Sequence, residues 1–180
     1  MTPTTPVYLD NHSTTRCDPE VLEHMLPYFS ERYGNAASRT HRFGFEAKAG
    51  VEWARQQLGE LIGCNSKEVI WVSGATEANN LALRGAAEGM QSKGRHVVIS
   101  QIEHKSIMDT ADYLESRGWQ VSRVAPDGDG IVHAQDMIDA ITPETSVVSL
   151  MLANNEIGTL QPINEIGVAC RERGVVFHVD

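Results

Sequence analysis

Cysteine is scarce and scattered in this sequence: Cys17, Cys64 and Cys170 are the only three among 180 residues. An odd, widely spaced set with no C-x-x-C and no Cys/His cluster excludes a disulfide framework and a zinc site, and reads as reduced thiols in a cytoplasmic setting. Long apolar runs are missing too. The densest, Val147 to Ala153, is broken by Ser149 and falls far short of the roughly 20 residues a membrane-crossing helix needs. Lys and Arg form no cluster and number 15 against 24 Asp plus Glu, a net charge of −9. A surface of that sign repels phosphate backbones, so nucleic-acid binding is not expected. Met1 to Pro6 has neither the basic nor the apolar stretch of a secretory leader and is not expected to be a signal peptide. What remains is 41% apolar and 22% charged, the composition of a globular protein with enough chain to bury a core.

The order of elements is legible from short punctuation signals. Val7-Tyr8-Leu9 reads as a brief strand. Asp18-Pro19-Glu20 starts a helix with a side-chain cap, Pro in the first turn and an early acid. Val21, Leu22, Met25, Leu26 and Phe29 form one apolar face, although Pro27 should kink that helix. A polar loop from Tyr33 to Gly44 precedes a second helix, expected to turn Phe45, Val51, Ala54, Leu58, Leu61 and Ile62 inward and to end at Gly63. From residue 69 onward the pattern becomes regular. Strands are expected at Val69–Val72, Val97–Ser100, Trp119–Val124, Val147–Leu152 and Val175–Val179. Helices are expected at Thr76–Met90, Lys105–Arg117, Ala134–Ile141 and Ile163–Arg173. β-branched runs alternating with helices imply βαβ units, hence an α/β fold whose mainly parallel sheet carries helices on both faces.

In such a sheet, ligands bind beyond the carboxyl ends of the strands. The residues that follow the strands here are Ser73-Gly74-Ala75-Thr76-Glu77, then Glu103-His104, then Asn154-Asn155-Glu156, and finally Asp180. A turn of small residues opening a helix presents backbone N–H groups to a phosphate, and Thr76 adds a hydroxyl donor. A helix merely capped by Ser73 or Thr76 would look the same in sequence. His104 alone could be an ordinary histidine, Asn155 a turn residue and Asp180 a cap. Together they supply what one cofactor demands: a phosphate cradle, a stacking imidazole, a donor to a phenolic oxygen and a carboxylate for a pyridinium nitrogen.

These residues carry a family resemblance. Tyr8 to Thr15, Gly34-Asn35-Ala36-Ala37-Ser38-Arg39-Thr40-His41-Arg42-Phe43-Gly44 and Ser73-Gly74-Ala75-Thr76-Glu77-Ala78-Asn79-Asn80-Leu81 are its main stretches. Glu103-His104, Asn154-Asn155-Glu156-Ile157-Gly158 and Phe177-His178-Val179-Asp180 complete it. The chain resembles, from residue 7 to residue 180, the amino-terminal half of a pyridoxal-phosphate-dependent cysteine desulfurase of the iron–sulfur assembly type, in the class-V aminotransferase group with its type I fold.

The resemblance implies pyridoxal 5'-phosphate as cofactor, with Ala75 (backbone) and Thr76 as phosphate contacts. It also implies His104 as the stacked, proton-transferring catalytic residue, Asn155 near the ring oxygen and Asp180 opposite the ring nitrogen. It implies L-cysteine as substrate, a homodimer, and a sulfur-accepting scaffold protein as partner. Residues 1–15 would belong to a small domain and 16–180 to the first part of the large cofactor domain. His12, Arg16 and Ala36 stand where Asn, Pro and Pro are usual, all at peripheral positions. The Ser-x-His-Lys segment that holds the cofactor, the loop with the nucleophilic Cys and the substrate-gripping Arg are absent, so the 180 residues alone are expected to be inactive, as a truncation or a split half. Cys17, Cys64 and Cys170 lack any neighbouring thiolate-stabilising base and are expected to be structural or incidental. A selenocysteine lyase, another class-V aminotransferase or a non-catalytic fragment are the competing readings.

Overall fold

The computed structural model describes residues 6–180. The chain divides into two compact units, residues 1–71 and 72–180. Residues 1–5, where the expected small-domain segment 1–15 begins, lie outside the described residues.

The first unit is helical. Asp18 caps α1 (Pro19–Met25) by accepting the Glu20 N–H at 2.8 Å, and Pro27 opens a separate short helix α2 (Pro27–Ser30). The expected kink is therefore a break, because Pro27 has no N–H to continue the ladder. Helix α3 (Arg42–Ile62) ends at Gly63 in the left-handed conformation, φ 71°. A 3-10 turn (Ser66–Glu68) follows, closed by a reciprocal Asn65–Glu68 capping box.

Three sequence expectations fail in this unit. Val7–Leu9 forms no strand, and Leu9 is 82% exposed. Val69–Val72 forms no strand; the guanidinium of Arg55 holds the Val69 carbonyl instead. A strand exists only where a neighbour takes its backbone bonds, and neither segment has one among the described residues. Phe45, Leu61 and Ile62 are exposed, whereas Val51, Ala54 and Leu58 are half-buried beside buried Ala47. At about 100° per residue Phe45 falls on the side of α3 opposite Ala47.

The second unit carries the regular α/β pattern. Its sheet comprises β1 (His96–Ser100), β2 (Gln120–Val124), β3 (Thr145–Ser149) and β4 (Val176–His178), all parallel in the order β2-β1-β3-β4. Helices α4 (Ala75–Gly89) and α5 (Lys105–Ser116) cover one face, where Leu83, Ala87, Ile107 and Leu114 meet Val97, Ile99 and Val147. Helices α6 (Ala134–Asp139) and α7 (Ile163–Glu172) cover the other, where Met137, Ile166 and Cys170 meet Val98, Val148 and Leu150. The split follows the strand period of two: alternate residues of β1 and β3 enter opposite cores. Every residue of β1 and β3 is buried, as expected for central strands covered on both faces. His96 ties the amino ends together, with its ring nitrogens bonded to Thr145 on β3 at 2.7 Å and Ser122 on β2 at 2.9 Å.

Cys170 lies in the second core, fully buried, and burial pushes its thiol up to about 11. Only the thiolate attacks a disulfide reagent. The folded chain should therefore yield its exposed Cys17 and half-buried Cys64 to an aromatic disulfide titrant and hold back Cys170 until denaturant is added. Three equivalents released at once from the native chain would contradict this packing.

Candidate functional site

Strands β1, β3 and β4 end side by side, and the segments leaving them carry the polar side chains. Helix α4 starts at Ala75 with Gly74 before it and no side-chain cap. Ser73 does not cap the helix. Its N–H and hydroxyl both donate to Glu77 Oε2, at 2.7 and 2.6 Å, which holds that carboxyl below its usual range. The backbone N–H groups of the first turn, including those of Ala75 and Thr76, therefore have neither a helical partner nor a side chain. Ala75 and Thr76 are exposed, and a Cβ on Gly74 would meet nothing within 4 Å. This end of α4 is open and bare, at the positive end of the helix dipole.

Asp180 follows β4. Its backbone carbonyl accepts the Leu152 N–H at 2.8 Å, extending the β3–β4 pairing, and its carboxylate Oδ2 accepts Nδ2 of Asn79 at 2.8 Å. Asn79 is buried on α4 one turn beyond Ala75, and Nδ2 also donates to Ser106 Oγ at 3.0 Å. Ser106 in turn meets Nδ1 of His104, through its hydroxyl at 2.8 Å and its N–H at 3.1 Å. His104 is thus the N-cap of α5 through its own ring. Because Nδ1 accepts the Ser106 N–H, that bond assigns the ring proton to Nε2. One chain of hydrogen bonds joins Asp180, Asn79, Ser106 and His104.

Asn155 stands in the loop after β3, exposed. Its neighbour Asn154 builds that loop: Nδ2 donates to the Ile102 carbonyl at 3.1 Å, and Oδ1 accepts the N–H groups of Glu156 at 2.9 Å and Ile157 at 3.0 Å. Asn154 so fastens the loop to the segment two residues before His104.

The structure thus gathers Ala75, Thr76, His104, Asn155 and Asp180 at one edge of one sheet. Sequence reasoning missed the residues that connect them. Asn79 had a signal, since it heads a buried stripe Asn79, Leu83, Ala87 at helical spacing, and a polar residue in such a stripe calls for a buried partner. Ser106 had a weaker one, the second position of a helix whose cap is a histidine. Both lysines of this unit are engaged elsewhere: Lys93 Nζ donates to the Arg173 and Gly174 carbonyls at 2.6 and 2.8 Å, and Lys105 Nζ to Asp109 at 2.7 Å. Among the described residues no His/Cys/Asp/Glu cluster could hold a metal, and no helix is long and apolar enough to cross a membrane.

The family model of aminotransferase class V matches residues 7–180. The chain belongs to the class-V aminotransferase family. This aminotransferase-family chain is 50% identical over 175 residues to the cysteine desulfurase IscS of Anaeromyxobacter sp. (strain K), an alignment that takes in 97% of the chain and 43% of that relative. It superposes on a solved NifS-like protein with a TM-score of 0.90 at 36% identity, covering 97% of this chain and 48% of the other. It also superposes on SspA in complex with cysteine, with a TM-score of 0.90 at 34% identity, covering 96% and 50%. The chain spans less than half the length of the curated relatives it matches.

Proposed function

We propose that this chain is the amino-terminal, cofactor-binding portion of a pyridoxal-phosphate-dependent cysteine desulfurase, whose whole converts L-cysteine to L-alanine and passes the sulfur on as a persulfide. The observation that carries the reading is the Asn79 bridge. It ties the Asp180 carboxyl to the same helix whose uncapped first turn suits an anion, and Ser106 continues it to an imidazole. The residues present fit pyridoxal phosphate. The N–H groups of Ala75 and Thr76, with the Thr76 hydroxyl, would hold the phosphate. The His104 ring would stack on the pyridine, Asn155 would donate near the phenolic oxygen, and Asp180 would lie opposite the ring nitrogen.

When bound, the cofactor supplies an electron-accepting ring for cleavage of a bond at the substrate Cα. The rest is the work of these side chains. The Asp180 carboxyl, held by Asn79, would favour a proton on the ring nitrogen. His104, oriented through Nδ1 by Ser106, presents Nε2 for proton transfer.

The names of the relatives support the substrate, as does the cysteine complex of SspA. A homodimer, a sulfur-accepting scaffold protein for iron–sulfur assembly, a cytoplasmic location and membership of residues 1–15 in a small domain belong to the same reading.

Thr76→Val tests it on the chain itself. Loss of one hydroxyl donor to a phosphate dianion costs about 1.5–3 kcal/mol, or about 10- to 150-fold in dissociation constant. Fluorescence titration with pyridoxal phosphate should show that weakening, and an unchanged affinity would remove Thr76 from the phosphate site.

A further inference from the structure

Asn155 is carried by the loop between Ala153 and Leu160, which closes on itself. Ala153 pairs with Leu160 in an antiparallel bridge, the Asn154 N–H donates to the Thr159 carbonyl at 2.9 Å, and the Gly158 N–H donates to the Asn154 carbonyl at 3.0 Å. Such bonds keep the loop's shape but leave it free to pivot about its base. Contacts beyond the base must fix its pitch. On one flank the Asn154 side chain reaches the Ile102 carbonyl, two residues before His104. On the other flank the contact is Gln161.

Gln161 is only 5% exposed, and both ends of its amide are engaged. Oε1 accepts the Val132 N–H at 2.9 Å, while Nε2 donates to the Gly130 carbonyl at 3.0 Å and to the Thr159 hydroxyl at 3.1 Å. The Thr159 hydroxyl gives its own proton to the same Gly130 carbonyl at 3.1 Å. A backbone N–H can only donate, so Val132 fixes which way the amide faces, and both Nε2 protons are then used. Gly130 and Val132 belong to the segment after β2, where Asp127 closes a turn by accepting the Asp129 and Ile131 N–H groups, each at 2.9 Å. Gly130 has φ 78°, and a Cβ there would run into the Ile157 side chain. The two loops therefore meet closely, with a buried amide as the joint. A carboxylate of the same shape would turn an acceptor toward the Gly130 carbonyl, and a methionine would leave the buried Val132 N–H bare.

We propose that Gln161 is a positioning residue for Asn155: by locking the Asn155 loop onto the Asp127–Gly130 turn, it sets where the Asn155 amide stands at the carboxyl edge of the sheet. The inference rests on the cofactor reading above, in which Asn155 donates near the phenolic oxygen. A hydrogen bond weakens steeply when its donor is displaced or turned, so a donor on an exposed loop serves only where a rigid support holds that loop. Gln161 is buried at the base of the loop and acts through it.

NMR of the full chain with nitrogen-15 glutamine tests the joint without cofactor. Both Nε2 protons of Gln161 should resist exchange with solvent, since both are bonded and buried, whereas the other glutamines are exposed and should exchange freely. Freely exchanging Gln161 protons in the wild-type chain overturn the proposal whether or not a variant folds.

A double-mutant cycle in pyridoxal phosphate binding tests the role. Asn155→Ala should weaken binding about two- to tenfold, the worth of one hydrogen bond. Gln161→Met should weaken it by a similar factor, and the double variant by no more than Asn155→Ala alone, because the two act as one. A merely structural side chain would add its own loss to that of Asn155→Ala. Additive losses, or no loss in Gln161→Met, overturn this inference and leave the cofactor reading standing. No loss in Asn155→Ala removes the phenolic-oxygen contact itself, and the positioning role with it. Thr159→Val, which deletes only the hydroxyl shared by Gln161 and Gly130, supplies the same cycle if Gln161→Met does not fold.

Discussion

Asp180→Asn, in a full-length protein carrying this segment, should lower cysteine turnover by about 100-fold or more, equivalent to at least about 2.7 kcal/mol of barrier, while the cofactor stays bound. Asn has the same shape, so the Leu152–Asp180 backbone bond and the β3–β4 pairing at this end survive. What disappears is the charge. A neutral amide opposite a pyridine nitrogen no longer favours its protonated form, and the electron-accepting capacity of the ring falls with it. Phosphate contacts at the start of α4 do not involve this carboxylate, so retention on dialysis should change little. The pair of measurements, turnover and retention, is decisive. Near-normal turnover would remove the electrostatic role assigned to Asp180, and loss of both would mean that the carboxylate holds the fold and not the chemistry.

Asn79→Asp should destabilise the chain by about 3–5 kcal/mol at neutral pH, the cost of an unpaired charge in a buried site. Asn79 is 4% exposed and its Nδ2 lies 2.8 Å from Asp180 Oδ2. The substitution keeps the volume but replaces a donor by a second anion, so two carboxylates would meet at hydrogen-bonding distance, and Ser106 Oγ would lose the donor it accepts at 3.0 Å. The new carboxyl should have a folded value above its unfolded one. Its penalty is then absent at pH below the unfolded value and grows as pH rises toward the folded value. Guanidinium melts of the variant should therefore approach wild type near pH 4 and fall away toward pH 8. Equal stability at both pH values would show that Asn79 is not held against Asp180.

Much of the site is legible because of where its residues fall in the chain. Ala75 and Thr76 open a helix, His104 caps one, and Asp180 follows a β-branched run, so each carries a local signature that needs no partner. The alternation from residue 97 onward is legible for the same reason: β1, β3, α4 and α5 are buried along runs or stripes that the strand and helix periods reveal. The misread segments are those whose state depends on a neighbour. Val69–Val72 has a strand's composition and no strand beside it. Phe45 and Leu61 have core chemistry yet stay exposed, and α3 by itself does not say which of its faces is covered.

By itself, then, the sequence determined an α/β unit with a parallel sheet, the helix starts that meet its carboxyl edge, and the chemical types gathered there, because these follow from backbone period, capping and turn chemistry over a few residues. Only the tertiary structure decided the strand order β2-β1-β3-β4, which places the ends of β1, β3 and β4 together. It also decided that Asn154 fastens the loop while Asn155 stays exposed, and that Glu103 is buried against Ser100 and Met151. The Asn79–Asp180 bond joins residues 101 apart. A contact of that range depends on how the intervening helices and strands pack, which no local preference encodes.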